Sequence, residues 1–353
     1  MDLVTHALLG AGVAHATRPR RPSLSLRERL SLGGLAAMFP DIDFLGFLID
    51  PLRFIADWHQ GPTHSLVLLP LWALLLGGLF VVATGRRGTF AEAALVSGLG
   101  LATHIAADVV TAYGTALLYP LSARRFSLAT TYVIDPLFTV IVLAGLAAGL
   151  RTGRRGASLA GLAVLCLYVA GQAWLQQRAI ETGQAAARAR SIEFTRLAAL
   201  PQPLSPFHWK LVGSVDERYF ETYLALAEVR IPLPDVPGLR RWSELATAYR
   251  PPAGLEWASR HRLGERTELR EQIAALWADP RFAPYRRFAT YPAVSSVDSE
   301  GSETCIWFTD LRYDLPTLPD TFRYGFCRSA GGGDWRLYRL RYFSERERQR
   351  LTP

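Results

Sequence analysis

The sequence predicts a polytopic α-helical membrane domain followed by a small α+β domain with a mainly antiparallel sheet. Three observations carry this. Charge divides the 353 residues: positions 1–177 hold 13 Arg and 9 acidic residues, about 12% charged, while the remaining 176 hold 26 basic and 22 acidic ones, about 27%, so the two parts suit different solvents. Apolar stretches approaching the roughly 20 residues of a membrane span recur in the first part. Runs rich in aromatic and β-branched residues recur in the second. Residues 1–177 are therefore expected to form the membrane domain, 178–206 a helical linker and Pro-rich connector, and 207–353 the polar domain.

The first apolar stretch, residues 3–16, is short and carries His6 and His15, the latter read as solvated or interfacial. A cleaved leader is not expected, because Asp2 is the only early charge and the basic cluster follows the apolar run. Residues 30–49 form a second stretch, interrupted by Pro40, Asp41 and Asp43, and residues 66–84 a third without any charge. A fourth, 90–113, contains Glu92, His104 and Asp108. Residues 134–150 carry Asp135 before Pro136, read as the cap of that span, and 157–174 complete the set with Cys166 as a packing residue. If all six cross, ten arginines fall in the linkers 17–29, 85–89 and 151–156, against only Arg53, Arg124 and Arg125 in the opposite ones. The Arg-rich linkers are then expected in the cytoplasm, with the N-terminus, the segment around His59 and the polar domain outside it.

In the polar part, an Ala-rich charged helix is expected from 176 to about 200, ended by Pro201, Pro203 and Pro206. Strands are expected over 208–212, 218–230, 304–311, 321–327 and 335–343, a helix over 256–278, and a hairpin turn over 329–334. Cys305 and Cys327 fall on strands that can be neighbours, and sequence leaves open whether they are bonded or free. His208 and His261 are isolated and read as structural, and Asp57 as solvated or interfacial.

The composition excludes several classes. A chain that is half apolar with nearly balanced charge is not disordered, and three cysteines build neither a disulfide scaffold nor a four-cysteine zinc module. The net charge of +8 is spread over both parts rather than gathered on a stripe, which argues against a nucleic-acid partner. Gly-x-Ser-x-Gly and P-loop patterns are absent.

Ionisable residues inside apolar segments are costly, and this chain keeps many of them. His104 and Asp108, four apart on a helix, share one face and can ligate one ion. Asp41 and Asp43 follow a proline in an extended or turn segment, and His59 and His64 flank Gly61-Pro62, where a turn can bring both inward. In the six-span arrangement these residues and His6 fall at one level near the outer face. His6, Asp41, Asp43, His104 and Asp108 are the expected metal ligands, with His59 and His64 completing the site or protonating a leaving group. Imidazole with carboxylate favours zinc first, then manganese or iron, over calcium.

Thr5-His6, Pro40-Asp41-Ile42-Asp43, His59-Gln60-Gly61-Pro62-Thr63-His64-Ser65, the His104/Asp108 pair and residues 111–120 together resemble the membrane-bound metal-dependent hydrolases, also described as LexA-binding, inner-membrane-associated hydrolases. The resemblance covers roughly residues 1–150. It implies a multi-pass protein of the bacterial inner (cytoplasmic) membrane with metal-dependent hydrolase activity, and it admits a protein partner. The His-x-x-x-Asp helix is also similar to that of zinc-dependent phospholipase C and related nucleases, which points to an ester or phosphoester, lipid or lipid-linked. One position departs: the family pattern has Arg where this chain has Gln60. Two other classes use the same residues, an ion- or proton-coupled transporter and a non-catalytic interaction protein with a structural metal.

Overall fold

A computed structural model describes residues 1–227, 242, 244–245, 247–300, 303–329, 332–342, 344 and 346–351. Two compact units are present, one formed by Met1–Ile49 and Trp58–Trp174, the other by Asp50–Asp57 and Leu175–Pro353.

The first unit is helical. Asp2 caps α1 (Leu3–Ala16) by accepting from the Val4 and Thr5 amides, and Ser25 with Glu28 forms a capping box at the start of α2 (Leu26–Met38). Near Pro40 the α-helix gives way to a 3-10 segment, Phe39–Leu48, which carries Asp41 and Asp43. α3 (Leu69–Thr84) ends at Gly85 with φ 68°, and α5 (Pro136–Thr152) starts under the Asp135 cap and ends at Gly153 with φ 66°. Between them lies α4 (Phe90–Val109), followed after α5 by α6 (Arg155–Arg188).

Small residues let these helices touch. A Cβ on Gly33 of α2 would lie 2.7 Å from both the Gly10 carbonyl oxygen of α1 and the Ala14 Cβ, and a Cβ on Gly100 of α4 would lie 2.6 Å from the Gly33 carbonyl oxygen. Three backbones therefore cross at Gly33. Buried Arg29 pairs with Glu92 and donates to the Ala14 carbonyl at 2.7 Å, which accounts for the carboxylate inside the fourth apolar stretch. His15, expected at an interface, is instead buried with Nδ1 2.8 Å from Ser158 Oγ, because its place on α1 faces α6. Cys166, expected to pack, is exposed on α6.

All six apolar stretches are helices. By length and composition, Leu26–Leu48, Arg87–Val109 and Arg155–Arg188 are sufficient to cross a membrane, and the bent pair Pro51–His64 with Leu69–Thr84 makes a fourth if it is one span. Leu3–Ala16 and Pro136–Thr152 are apolar but shorter, so six full crossings rest on two short helices.

The second unit has two antiparallel sheets. One has the order β1-β2-β3-β4, from Arg196–Pro201, His208–Val215, Arg218–Ala225 and Ala258–His261. The other has the order β5-β6-β7-β8-β9, from Pro292–Glu300, Glu303–Asp310, Tyr324–Ser329, Arg336–Leu340 and Arg348–Arg350. The connector expected over 178–206 is helical only to Arg188, and its Pro-rich end is a strand whose Arg196–Pro201 backbone pairs with β2. The helix expected over 256–278 is confined to α7 (Arg270–Ala278), since Ala258–His261 pairs with β3 and the pairing overrides local propensity. Residues 228–230, 330–331 and 343 of the expected strands and turn lie outside the described residues.

Cys305 and Cys327 face each other across β6 and β7 and form a disulfide, which settles that alternative. Asp57, read as solvated or interfacial, keeps a partly exposed side chain and is paired with Arg287 at 2.7 Å, and the Tyr324 hydroxyl donates to the Pro51 carbonyl at 3.4 Å. The single lysine, Lys210, is fully buried on β2, 2.6 Å from Glu221, while burial pushes the nearby Asp314 carboxyl up to about 7. His208 is buried and stacked on Tyr249 at 4.0 Å, and burial pushes its imidazole down to about 4, in keeping with a packing residue.

Candidate metal centre

One long α-helix, a ten-residue 3-10 segment and a single 3-10 turn bring four donor groups together. α4 supplies His104 and Asp108 from one face, the 3-10 segment after Pro40 supplies Asp41, and the 3-10 turn Pro62–His64 supplies His64. The turn is entered through Gln60, whose φ of 53° reverses the chain ahead of Gly61-Pro62. One ligand atom from each of Asp41, His64, His104 and Asp108 lies within 4.8 Å of the other three. His64 Nε2 is 2.9 Å from His104 Nε2 and 3.2 Å from Asp108 Oδ2, and His104 Nε2 is 3.3 Å from the same oxygen. Asp41 Oδ1 stands 3.7 Å from His104 Nε2 and 3.9 Å from His64 Nε2.

The outer partners decide what these atoms offer. His104 Nδ1 lies 2.6 Å from the Ala37 carbonyl oxygen, which only accepts, so Nδ1 carries the proton and a neutral ring presents its Nε2 lone pair to the cluster. His64 Nδ1 is 3.0 Å from Thr63 Oγ1 and 3.6 Å from Asp43 Oδ2, which favours the same tautomer. Two lone pairs then face each other at 2.9 Å between two carboxylates, in surroundings that leave His64, His104 and Asp108 almost no solvent. Such an arrangement is repulsive until a proton or cation sits within it. Two carboxylates and two neutral imidazoles suit a divalent ion. Bonds of about 2.0–2.1 Å in a tetrahedron put donors about 3.3 Å apart; the His64, His104 and Asp108 atoms stand near that spacing, and Asp41, 3.7 and 3.9 Å from the two imidazoles, stands wider.

Asp108 is held on both oxygens. Oδ2 accepts from Gln60 Nε2 at 3.0 Å, while Oδ1 accepts from the Met1 amino group at 2.5 Å. His6 lies beside Oδ1, with Nε2 at 3.2 Å, and its ring stacks on His104 at 3.7 Å. Among the described residues, Nδ1 of buried His6 has no hydrogen-bond partner, and its Nε2 meets only the Asp108 carboxylate.

Asp43 and His59 occupy a layer behind His64. Asp43 Oδ1 is 3.0 Å from His59 Nδ1, and its Oδ2 accepts from the Gln60 amide at 3.0 Å and Thr63 Oγ1 at 3.5 Å. The His59 ring centre is 6.0 Å from that of His64, and the side chain is 12% exposed. Of the seven residues singled out from sequence, Asp41, His64, His104 and Asp108 thus converge, His6 abuts them, and Asp43 and His59 form a pair one step out. His64 stands among the donors rather than at a distance suited to proton transfer alone.

Sequence reasoning did not assign Gln60 and Thr115, although Thr115 Oγ1 donates to Gln60 Oε1 at 3.0 Å and so fixes which end of the amide points at Asp108. The departure from the family pattern at position 60 was the one available signal. Thr5 braces α1 by donating to the Asp2 cap and through its hydroxyl contact with Thr139, and Ser65 caps the approach to α3 by accepting from the Val67 and Leu68 amides.

All of these residues lie within residues 1–179, the stretch that matches the YdjM inner membrane protein family. A relative in Bacillus subtilis (strain 168), described as uncharacterized protein YfhP, is 24% identical over 169 residues, which are 47% of this chain and 51% of that protein. The chain therefore spans about half the length of the curated relative it matches. No solved structure matches the chain. With half of its length matched and its helices apolar enough for a bilayer, the chain belongs to the YdjM inner membrane protein family.

Proposed function

We propose that this protein is an integral membrane hydrolase that uses a divalent metal, zinc by preference, to cleave an ester or phosphoester near the extracytoplasmic face. The observation that carries the reading is the meeting of two imidazole lone pairs and two carboxylates in a nearly dry site. Asp41, His64, His104 and Asp108 would hold the ion, which supplies Lewis acidity at the scissile group and makes water acidic near neutral pH.

The chain's own residues account for the rest. Gln60 and Thr115 orient Asp108, and the Ala37 carbonyl and Thr63 orient the two imidazoles, the supporting layer a working metal site needs. Asp43 positions the His59 ring through Nδ1, and in its protonated form that imidazole would give a proton to the departing oxygen. The balance is that of hydrolysis: the water oxygen bonds to phosphorus or the acyl carbon, the ester bond breaks, and the proton that the water releases matches the one that the leaving oxygen takes up. The Cys305–Cys327 disulfide supports an oxidising location for the polar unit.

Elemental analysis of the detergent-purified protein beside the His104→Ala/Asp108→Ala double variant tests the reading. Near-stoichiometric zinc, manganese or iron in the parent, lost in the variant, is the expected result and is followed by an ester and phosphoester screen. No metal in either sample and none rebinding on titration would overturn it and favour a proton relay. A metal that resists displacement and supports no hydrolysis would favour the structural role.

A further inference from the structure

Asp41 is the one donor that also faces away from the cluster. Its side chain is 15% exposed and lines a groove of about 600 Å³ formed by α1, α2, α3 and the 3-10 segment. Leu35, Phe39, Ile42, Leu76 and Leu79 are among its walls, and Asp41 is the only polar residue that lines it. Along α3 the lining runs from Leu76 to Ala83, seven residues or about 10 Å at 1.5 Å per residue. Leu35, Ile42 and Leu79 are more than half exposed, so the groove opens on the apolar outer face of the helices.

A carboxylate at the end of an apolar groove inside a membrane segment is costly unless something there needs it. Here it joins the groove to the donor cluster, 3.7 Å from His104 Nε2 and 3.9 Å from His64 Nε2. We infer that the groove seats one acyl chain of the substrate, so that the bond to be cleaved belongs to a bilayer lipid whose head reaches Asp41 and the metal while its chain lies along α2 and α3. This rests on the hydrolase reading above and names its substrate class.

The energetics set what the groove can do. A chain that leaves bilayer hydrocarbon for an apolar groove gains little hydrophobic free energy, because it exchanges one apolar environment for another. The groove therefore contributes position: it holds the head of a mobile lipid at one distance from the donors, and the benefit falls on turnover rather than on affinity. Blocking its far end at Ala83 is then expected to discriminate by chain length.

The test uses the full-length protein in lipid nanodiscs with a phospholipid carrying a photoreactive diazirine on one acyl chain, followed by mapping of the labelled residues. Label concentrated on Leu35, Ile42 and Leu79, and reduced there at least tenfold by Ala83→Trp, is expected. Label spread evenly over other exposed apolar positions such as Leu143 and Leu167 would overturn the proposal. Leu79→Trp is the second variant should Ala83→Trp not fold, and metal content equal to that of the parent certifies the site in either. This readout needs no turnover, so concentrated labelling in a protein that binds no metal would sink the hydrolase reading and leave the lipid seat. Where hydrolysis is found, Ala83→Trp is expected to lower kcat/KM at least tenfold more for a long-chain lipid than for a short-chain analogue of the same head. Equal losses on both would count against an acyl-chain seat.

Discussion

Gln60 stands where the resemblance to membrane-bound metal-dependent hydrolases leads one to expect Arg, and its neighbours give it a definite task. Its amide donates to Asp108 Oδ2 and accepts from Thr115 Oγ1, while its backbone N–H donates to Asp43, so one residue ties the inner donors to the pair behind them. The left-handed backbone, φ 53°, is unfavourable for a residue with a Cβ, and these hydrogen bonds offset it. Gln60→Ala is expected to weaken metal binding by about 10–100-fold, the usual effect of removing a group that orients a ligand. Chelator competition measures this, and unchanged affinity would reduce Gln60 to a packing residue. The site was unevenly legible at this scale. His104 and Asp108 could be paired from sequence because four residues of helix fix their common face. Asp41 and Asp43 could not be separated, since which of two carboxylates in Pro-Asp-Ile-Asp meets the cluster depends on a 3-10 turn rather than on a regular period. The division of labour between His59 and His64 depends on a reversal at Gln60 that no local propensity announces.

The donors reach one another because three helices approach at Gly33. α1 carries His6, α2 delivers the chain to Asp41, and α4 carries His104 and Asp108, and each passes the other backbones at Gly10, Gly33 or Gly100. A side chain at the crossing would push these elements apart and with them the ligand atoms. Gly33→Leu is expected to destabilise the helical unit by about 1–3 kcal/mol or more, the cost of overpacking a close contact, and to lower metal content in parallel. Thermal unfolding in detergent with metal analysis checks this. A variant as stable and as metal-loaded as the parent would show that the crossing tolerates separation. Helices were legible as elements because apolar length and a cap such as Asp135 are local signals. β1 and β4 were not, because Arg196–Pro201 lies in a stretch read as connector and Ala258–His261 in one read as helix, and each is a strand only by pairing with a distant neighbour.

At the scale of the whole chain the informative variable is where charge is allowed. Thirteen arginines and nine acids among the first 177 residues leave little choice of solvent, and this asymmetry predicted the division into an apolar and a polar part, while apolar stretches and runs of aromatic and β-branched residues predicted the helices of one and the antiparallel sheet of the other. The same charges bear on orientation. Arg18, Arg20, Arg21, Arg86, Arg87, Arg154 and Arg155 lie in the linkers beside one set of helix ends, and the energetic bias against carrying Arg across a bilayer is expected to hold those ends in the cytoplasm. The Cys305–Cys327 bond points the same way from the opposite side of the argument, since a stable disulfide belongs to an oxidising compartment. Two independent signals thus expect the polar unit to be extracytoplasmic. In spheroplasts of a cysteine-free background, a membrane-impermeant maleimide should label Arg346→Cys without lysis and Arg87→Cys only after lysis. The number of crossings enters here, because Leu3–Ala16 and Pro136–Thr152 are short for full spans. If Leu3–Ala16 is re-entrant only the N-terminus changes sides, whereas if Pro136–Thr152 is, the polar unit moves to the side of linkers 17–29 and 85–89 and Arg346→Cys would label only after lysis. That result would also oppose the disulfide as a native feature, so alkylation before and after reduction of the parent protein separates an error in helix count from an error in compartment.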